Sequence, residues 1–219
     1  MSKTNKEPWP TKKAMQQVYY MNLWGSNNTP FYSGEGSHVS NIVKPYIDKV
    51  KSFLSSFEQQ LVVCDLGCGD FNIGRQFISD TKQYIGVDIV PELIEYNSTV
   101  FVDPKVRFTC LDIAVDTLPQ ADCVIIRQVL QHLSNKEVLN VAHKLSQYKY
   151  VILTEHLPAG PFNPNIDIIS GQGIRLKKKS GIDLLSPPFL LEVKNQKDLL
   201  SIELPNNKGQ IKTVLYKMF

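Results

Sequence analysis

The 219-residue sequence contains no apolar run long enough to cross a bilayer, and no apolar signal core follows the polar residues 1–13. We therefore expect no membrane association and no secretory signal, which predicts a cytoplasmic protein. Net charge is only +3. Because binding to a phosphate backbone requires clustered Lys and Arg, nucleic acid is not an expected partner. The sequence does not fix the oligomeric state.

Cysteine is scarce. Four residues are cysteine, at positions 64, 68, 110 and 123, and none forms a C-x-x-C pair. Their spacing argues against a zinc site, and no carboxylate–histidine cluster with metal spacing occurs, so we expect metal-independent chemistry. The cysteines lie in apolar runs and a glycine turn, which predicts buried, reduced thiols instead of disulfides.

Apolar runs and helical stripes alternate along the chain. The runs, rich in Val, Ile and Tyr, lie near 61–65, 83–88, 106–111, 122–126 and 149–154. Helical stripes lie at 14–24, 39–57, 73–80, 91–98 and 134–146. This alternation predicts a doubly wound, Rossmann-like α/β fold with a mostly parallel sheet and helices on both faces.

Two later segments break the alternation. Residues 156–190 contain five prolines and four glycines, which predicts a long, lid-like insertion. Apolar runs at 199–204 and 211–218 flank Pro-Asn-Asn-Lys-Gly, which predicts a closing antiparallel hairpin.

A glycine turn is the most informative local feature. The first predicted strand ends in Asp65. Two glycines, Gly67 and Gly69, follow it at alternate positions, and the second predicted strand ends in Asp88. A dinucleotide fingerprint needs a third glycine at the position of Asn72, so NAD and FAD are disfavoured. A phosphate loop needs Gly-Lys-Ser/Thr, but Arg-Gln follows Gly74, so ATP and GTP are disfavoured as well.

The Asp-x-Gly-x-Gly turn and the second acid resemble the first two motifs of class I S-adenosylmethionine-dependent methyltransferases, over roughly residues 15–219. The resemblance implies S-adenosylmethionine as methyl donor, S-adenosylhomocysteine as product, and seven strands of which one, in the last hairpin, is antiparallel. It implies that Gly67 and Gly69 admit the methionine part, that Asp65 positions its amino acid end, and that Asp88 accepts both ribose hydroxyls. The remaining cofactor contacts it implies are the adenine-binding Asp112 and Ile113, together with Ile89 and Arg127.

The acceptor side is predicted from residues just past the strand ends, which line the crevice in such sheets. The segment after the fourth strand supplies Arg127, Gln128 and His132 in place of the Asn/Asp-Pro-Pro-aromatic block of nucleobase amine methyltransferases. His132 is the first candidate general base and His156 the second, since imidazole titrates near neutral pH. Other candidate substrate contacts are Trp24, Tyr32, Glu155 and Arg175. For Trp24 and Tyr32 the alternative is that they pin the N-terminal helix to the core.

A narrower resemblance rests on Trp24-Gly25, residues 32–37, residues 127–132 and Pro187-Pro188-Phe189. These segments are similar to a bacterial subgroup of small methyltransferases often found with saccharide or secondary-metabolite pathways. The resemblance suggests a division into an N-terminal helix and cofactor-covering loop, 1–38, and a methyltransferase domain, 39–219. The expected reaction is methyl transfer to a hydroxyl of a saccharide or small metabolite. Alternatives are an N- or carboxyl-methyltransferase of a small molecule and a non-catalytic cofactor-binding subunit of the same fold.

Overall fold

A seven-stranded sheet organises the computed structural model, which describes residues 8–219. Its strand order is β3-β2-β1-β4-β5-β7-β6. Only β7 runs against its neighbours, pairing antiparallel with both β5 and β6, so the predicted mostly parallel sheet with one antiparallel strand is confirmed. The strands are β1 Val62–Leu66, β2 Gln83–Asp88, β3 Val106–Cys110, β4 Cys123–Arg127, β5 Tyr150–Leu157, β6 Asn195–Glu203 and β7 Gln210–Lys217.

Four α-helices accompany the sheet within the described residues: α1 Thr11–Tyr20, α2 Ser40–Leu54, α3 Pro91–Val100 and α4 Asn135–Leu145. Helix α2 continues through Pro45 without a break. Ser134 begins α4 with a capping box, in which its side chain accepts from the Glu137 N–H and the Glu137 carboxylate binds the Ser134 N–H. The helical stripe at 73–80 forms a 3-10 helix, Gly74–Asp80, instead of an α-helix.

The side chains of the inner strands are buried on both faces of the sheet. Val63 and Ile125 pack on one side with α2, while Cys64 and Val124 pack on the other side with α4. Because successive strand residues point to opposite faces, strands buried on both sides read as continuous apolar runs. The predicted helices on both faces are therefore confirmed.

The strand order reverses beside β1, which pairs with β2 on one side and with β4 on the other. In doubly wound sheets this reversal opens a crevice at the carboxyl ends of the strands. Asp65 and Asp88 lie at the carboxyl ends of β1 and β2, and Arg127 ends β4.

Two irregular segments lie over this end of the sheet. We call residues 25–38, which contain the 3-10 helix Glu35–Ser37, the strap. We call residues 158–194 the insertion; they include the 3-10 helix Arg175–Lys178. Asn165 holds the insertion together, since its amide nitrogen donates to the Asp183 and Pro187 carbonyls and its oxygen accepts from the Asp183 N–H.

All four cysteines are free thiols. Cys64, Cys68 and Cys123 are buried as expected, but Cys110 is exposed because it ends the edge strand β3. No helix within residues 8–219 is long and apolar enough to span a membrane. Residues 1–7 of the predicted N-terminal segment lie outside the described residues.

Candidate active site

A cavity of about 580 Å³ lies at the carboxyl ends of β1, β2 and β4. Its volume falls in the ordinary range for small-molecule sites. The structure brings all eight predicted cofactor residues to its wall: Asp65, Gly67, Gly69, Asp88, Ile89, Asp112, Ile113 and Arg127. Trp24, Gln128 and His132 also line it, whereas Tyr32, Glu155, His156 and Arg175 do not.

The glycine turn leaves no room for side chains. Gly67 and Gly69 have φ of +82° and +53°, in the left-handed region that glycine adopts without strain. A Cβ at Gly67 would clash with Val129 Cγ2, and one at Gly69 would clash with Ser33 Oγ. The turn therefore lines the cavity with backbone atoms alone at these two positions.

Asp88 braces the turn from β2. Its Oδ2 accepts from the Gly69 N–H at 3.1 Å and its Oδ1 accepts from the Val90 N–H at 3.1 Å. Burial raises the pKa of Asp88 to about 6, although these backbone bonds act in the opposite direction. Each carboxylate oxygen retains a second lone pair, so the group can still accept from two hydroxyls.

Asp65 offers an acceptor at the neighbouring strand tip. Its Oδ2 accepts from the Tyr84 hydroxyl at 2.8 Å, which leaves Oδ1 for a ligand. Burial raises the pKa of Asp65 to about 7. A cationic group beside it would restore the ionised form, so the site suits an ammonium.

Asp112 and Ile113 form the wall beyond β3. Asp112 Oδ1 accepts from the Ala114 N–H at 2.9 Å, and the Asp112 N–H donates to Asp116. Leu111 and the buried Ile113 flank the carboxylate with apolar surface. A carboxylate between two apolar side chains suits a flat ring that carries an exocyclic amine.

The strap docks directly on the glycine turn. Asp70 Oδ2 accepts from the Ser33 N–H at 2.8 Å and from His38 Nε2 at 2.6 Å, and the Asp70 N–H donates to Ser33 Oγ at 2.8 Å. The sequence interpretation did not identify these three residues. The position of Asp70 immediately after the Gly-Cys-Gly turn was the available signal.

Arg127 holds the strap from the other side. Its Nη2 donates to the Gly36 carbonyl at 2.5 Å and its Nη1 donates to Ser37 Oγ at 3.3 Å. The guanidinium lies over the Tyr46 ring, 4.8 Å from the centroid. Burial lowers the pKa of Arg127, but an arginine remains charged at neutral pH.

His132 is bound on both ring nitrogens. Nδ1 donates to the Gly171 carbonyl at 3.1 Å, so Nε2 carries the lone pair and accepts from Gln131 Nε2 at 3.2 Å. Gln131 is fixed in turn because its Oε1 accepts from the His156 N–H. Burial lowers the pKa of His132 to about 4. The imidazole is therefore neutral, with its lone pair engaged.

Glu155 and Arg175 bracket the 3-10 turn Leu130–His132 from below. Glu155 accepts from the Leu130 and Gln131 N–H groups, and burial raises its pKa to about 8. Arg175 donates to the Leu130 and Leu133 carbonyls at 3.1 and 2.7 Å. Both side chains, predicted to contact substrate, instead bind the backbone that carries Gln131 and His132, because both are more than 97% buried beneath it.

The remaining predicted substrate and base residues differ in whether they line the cavity. Trp24 lines the cavity and packs against His132, with ring centroids 5.2 Å apart. Tyr32 instead stacks on His38 at 4.5 Å. His156, the second candidate base, turns away from the cavity because its Nε2 binds the Lys208 carbonyl at 2.7 Å.

The hydrogen-bond acceptors of the cavity fit the predicted cofactor. Asp65 offers a free oxygen for the ammonium, Asp88 two acceptors for a vicinal diol, and Asp112 with Ile113 a place for an aminopurine. Within residues 8–219, no group of three or more His, Cys, Asp or Glu side chains is placed to hold a metal ion.

Residues 63–148 match the family model described as a methyltransferase domain. No curated protein matches the chain in sequence. Solved structures share the fold. Magnesium protoporphyrin IX methyltransferase from Synechocystis PCC 6803, with bound S-adenosylmethionine, is 15% identical with a TM-score of 0.61, over 98% of this chain and 100% of that one.

Two further structures have similar scores. Human N-acetylserotonin methyltransferase is 15% identical with a TM-score of 0.58, over 95% of this chain and 60% of that one. The N-methyltransferase NodS from Bradyrhizobium japonicum is 9% identical with a TM-score of 0.58, over 82% of this chain and 98% of that one. The names of these three enzymes describe different acceptors, so the shared fold does not specify one.

Proposed function

We propose that the chain is a class I S-adenosylmethionine-dependent methyltransferase and that it methylates an oxygen atom of a small molecule, with a hydroxyl of a saccharide or small metabolite as the acceptor. One observation carries the proposal: the acidic strand tips at Asp65 and Asp88 and the loop acid Asp112 share a single cavity with Trp24 and His132. A roofed cavity of this size suits a small acceptor.

S-adenosylmethionine, when bound, supplies an electrophilic methyl group on its sulfonium. The residues of the chain would hold it in three places: Asp65 at the amino acid, Asp88 at the ribose and Asp112 with Ile113 at the adenine. Holding donor and acceptor in line, away from water, provides most of the rate enhancement that such a transfer needs.

The strap and the insertion would roof this reaction. Trp24 lies just before the strap, and Gln172 of the insertion donates to the Leu23 carbonyl at 2.9 Å, which joins the insertion to the residues that precede the strap. We propose that the N-terminal helix and the loop after it, within the described residues 8–38, cover the cofactor and that residues 156–190 act as a lid over the acceptor half.

A second acceptor class follows from the state of His132. A hydroxyl must lose its proton on methylation, and a neutral imidazole with a pKa of about 4 and an engaged lone pair is a poor base. A carboxylate needs no base, because it is already ionised at neutral pH. This favours carboxyl methylation as the second candidate.

Calorimetric titration with S-adenosylmethionine and S-adenosylhomocysteine tests the cofactor assignment. Asp88→Ala should weaken affinity by about 2–3 kcal/mol, because two charge-assisted hydrogen bonds are lost. Asp103→Ala is the matched control: Asp103 also accepts the backbone N–H two residues later, from Lys105, but does not line the cavity. Equal affinities in the two variants, or no binding by the wild type, would refute the assignment.

Transfer of a radiolabelled methyl group to a panel of sugars, phenols and small carboxylic acids tests the acceptor class. Label that mild base releases as methanol identifies an ester, whereas stable label identifies an ether or amine. Tight cofactor binding without transfer to any compound would favour the non-catalytic alternative.

A further inference from the structure

The insertion brings one cation to the cavity wall. Residues 177–179 are three consecutive lysines, and of these only Lys177 lines the cavity. Lys178 donates to the Asp167 carbonyl at 2.7 Å instead, and Lys179 follows the 3-10 helix in left-handed backbone, with φ of +52°. Lys177 forms no salt bridge with any carboxylate of residues 8–219. Its ammonium is therefore the one of the three that can meet a molecule in the cavity.

The turn that carries Lys177 is held against the body of the protein. Arg175, two residues earlier, is 1% exposed and donates to the Leu130 and Leu133 carbonyls at 3.1 and 2.7 Å. The Ser180 N–H donates to the Arg175 carbonyl at 3.2 Å and closes the turn. The backbone of Lys177 thus has a defined position, while its flexible four-carbon stem lets the exposed ammonium adjust to a ligand.

The wall that precedes Lys177 along the insertion is uncharged. Residues 172–174 line the cavity, and a Cβ added at Gly173 would meet no atom within 4 Å, so this backbone borders open space. The neutral His132 ring and Trp24, with centroids 5.2 Å apart, line the same cavity. A small molecule in this part of the cavity would meet rings and neutral groups, with Lys177 as the cation beside them.

Most other charged groups of the cavity wall are already assigned. The acids at the ends of β1, β2 and β3 are the proposed cofactor contacts, and Asp70 binds the strap. Arg127, the second cation, donates to the strap as well. Glu35 is an exposed acid of the strap, but no salt bridge joins it to Lys177. An ammonium with no carboxylate bound to it is complementary to a ligand that carries negative charge.

We propose that Lys177 binds an anionic group of the methyl acceptor, a carboxylate or a phosphate, and so makes the protein prefer anionic acceptors to neutral ones of the same shape. This inference rests on the proposed function and names the charge of its substrate. Because Lys177 is exposed to water, the preference should be that of a surface ion pair and not that of a buried one.

Binding of matched compounds to the protein saturated with S-adenosylhomocysteine tests the proposal without turnover. One pair is 4-hydroxybenzoate and 4-hydroxybenzamide, and the other is glucose 6-phosphate and glucose. Ligand-observed NMR titration should show that the anionic member of at least one pair binds about 2- to 5-fold more tightly. The pair that shows the preference distinguishes a carboxylate from a phosphate. Added salt, roughly 0.5 M, should reduce the preference because exposed charges are screened.

Substitution at position 177 assigns the preference to this residue. Lys177→Met should remove it, and Lys177→Arg should retain it, because a guanidinium keeps the charge. Lys179→Met is the matched control: it removes the same charge from the same run, but Lys179 does not line the cavity, so the preference should persist. All three variants should bind S-adenosylhomocysteine as the wild type does, which also reports that they are folded.

The outcomes separate the possible failures. No preference in either pair, or a preference that Lys177→Met retains, would overturn the proposal. An equal loss in Lys177→Met and Lys179→Met would overturn it too, because net charge and not position would then be responsible. If Lys177→Met does not bind S-adenosylhomocysteine, Lys177→Gln provides the same comparison. If the wild type does not bind S-adenosylhomocysteine, the proposed function fails instead.

Discussion

Cofactor affinity should depend on pH through Asp65. Burial raises the pKa of this carboxyl to about 7, whereas an ammonium ligand requires the ionised form. At pH 6 about nine-tenths of the free protein carries the proton, and removing it costs about 1.4 kcal/mol; at pH 8 the cost is about 0.1 kcal/mol. S-adenosylhomocysteine should therefore bind about 10-fold more tightly at pH 8 than at pH 6.

Calorimetry in buffers with different ionisation enthalpies measures both parts of this prediction. Binding near pH 6.5 should release a proton, so the apparent enthalpy should differ between phosphate and Tris. Asp65→Asn should bind more weakly and lose most of the pH dependence. The remaining slope should come from Asp88, whose pKa of about 6 makes its share smaller. A wild type with the same affinity at both pH values, or an Asp65→Asn variant with the full slope, would refute the reasoning.

Two further predictions concern the turn and the acceptor wall. Gly69→Ala should abolish most cofactor affinity, because its Cβ would clash with Ser33. Gly160→Ala is the control: Gly160 shares the left-handed backbone (φ +72°), but a Cβ there would contact nothing within 4 Å, so this variant should bind the cofactor normally. Similar affinities of the two variants in calorimetry would contradict this prediction. Burial raises the pKa of Glu155 from 4.5 to about 8, so its stabilising contribution is fully present below the unfolded pKa and is lost progressively as pH rises from about 4.5 to about 8. Denaturant unfolding from pH 5 to 9 should then show a fall in wild-type stability, most of it below pH 8, that Glu155→Gln reduces, and parallel curves would contradict it.

The half of the cavity that we propose holds the cofactor could be located from sequence because it depends on local patterns. Asp65, Gly67 and Gly69 follow one apolar run, and Asp88 ends the next. In a parallel sheet the carboxyl ends of neighbouring strands meet at one edge, so strand recognition was enough to bring these residues together. The strap was partly recognisable, but its anchors at Asp70 and Arg127 are long-range contacts, which no local periodicity encodes.

The contacts on the proposed acceptor side of the cavity could not be predicted from the sequence. In the sequence, Glu155 follows the predicted fifth strand at 149–154 and Arg175 lies within the insertion, and ionisable groups near a crevice suggest substrate contact. The structure instead places each beneath a one-turn helix with unpaired backbone groups. Short 3-10 turns leave most of their N–H and C=O groups free, and buried groups must find partners. Which side chains satisfy them depends on the path of a 37-residue irregular segment, the insertion at 158–194.

The same reasoning changes the role assigned to His132. Its position after β4 indicated a base, but the insertion supplies the Gly171 carbonyl to Nδ1, and Gln131 occupies Nε2. An imidazole that is buried, neutral and bound on both sides acts as a rigid wall of the cavity, with Trp24 packed on it. We propose that rigidity at that position would orient an acceptor, while the engaged lone pair would prevent proton transfer to His132. The acceptor chemistry should then be governed by how nucleophilic the bound oxygen already is, which is why ester or ether formation is the decisive product measurement.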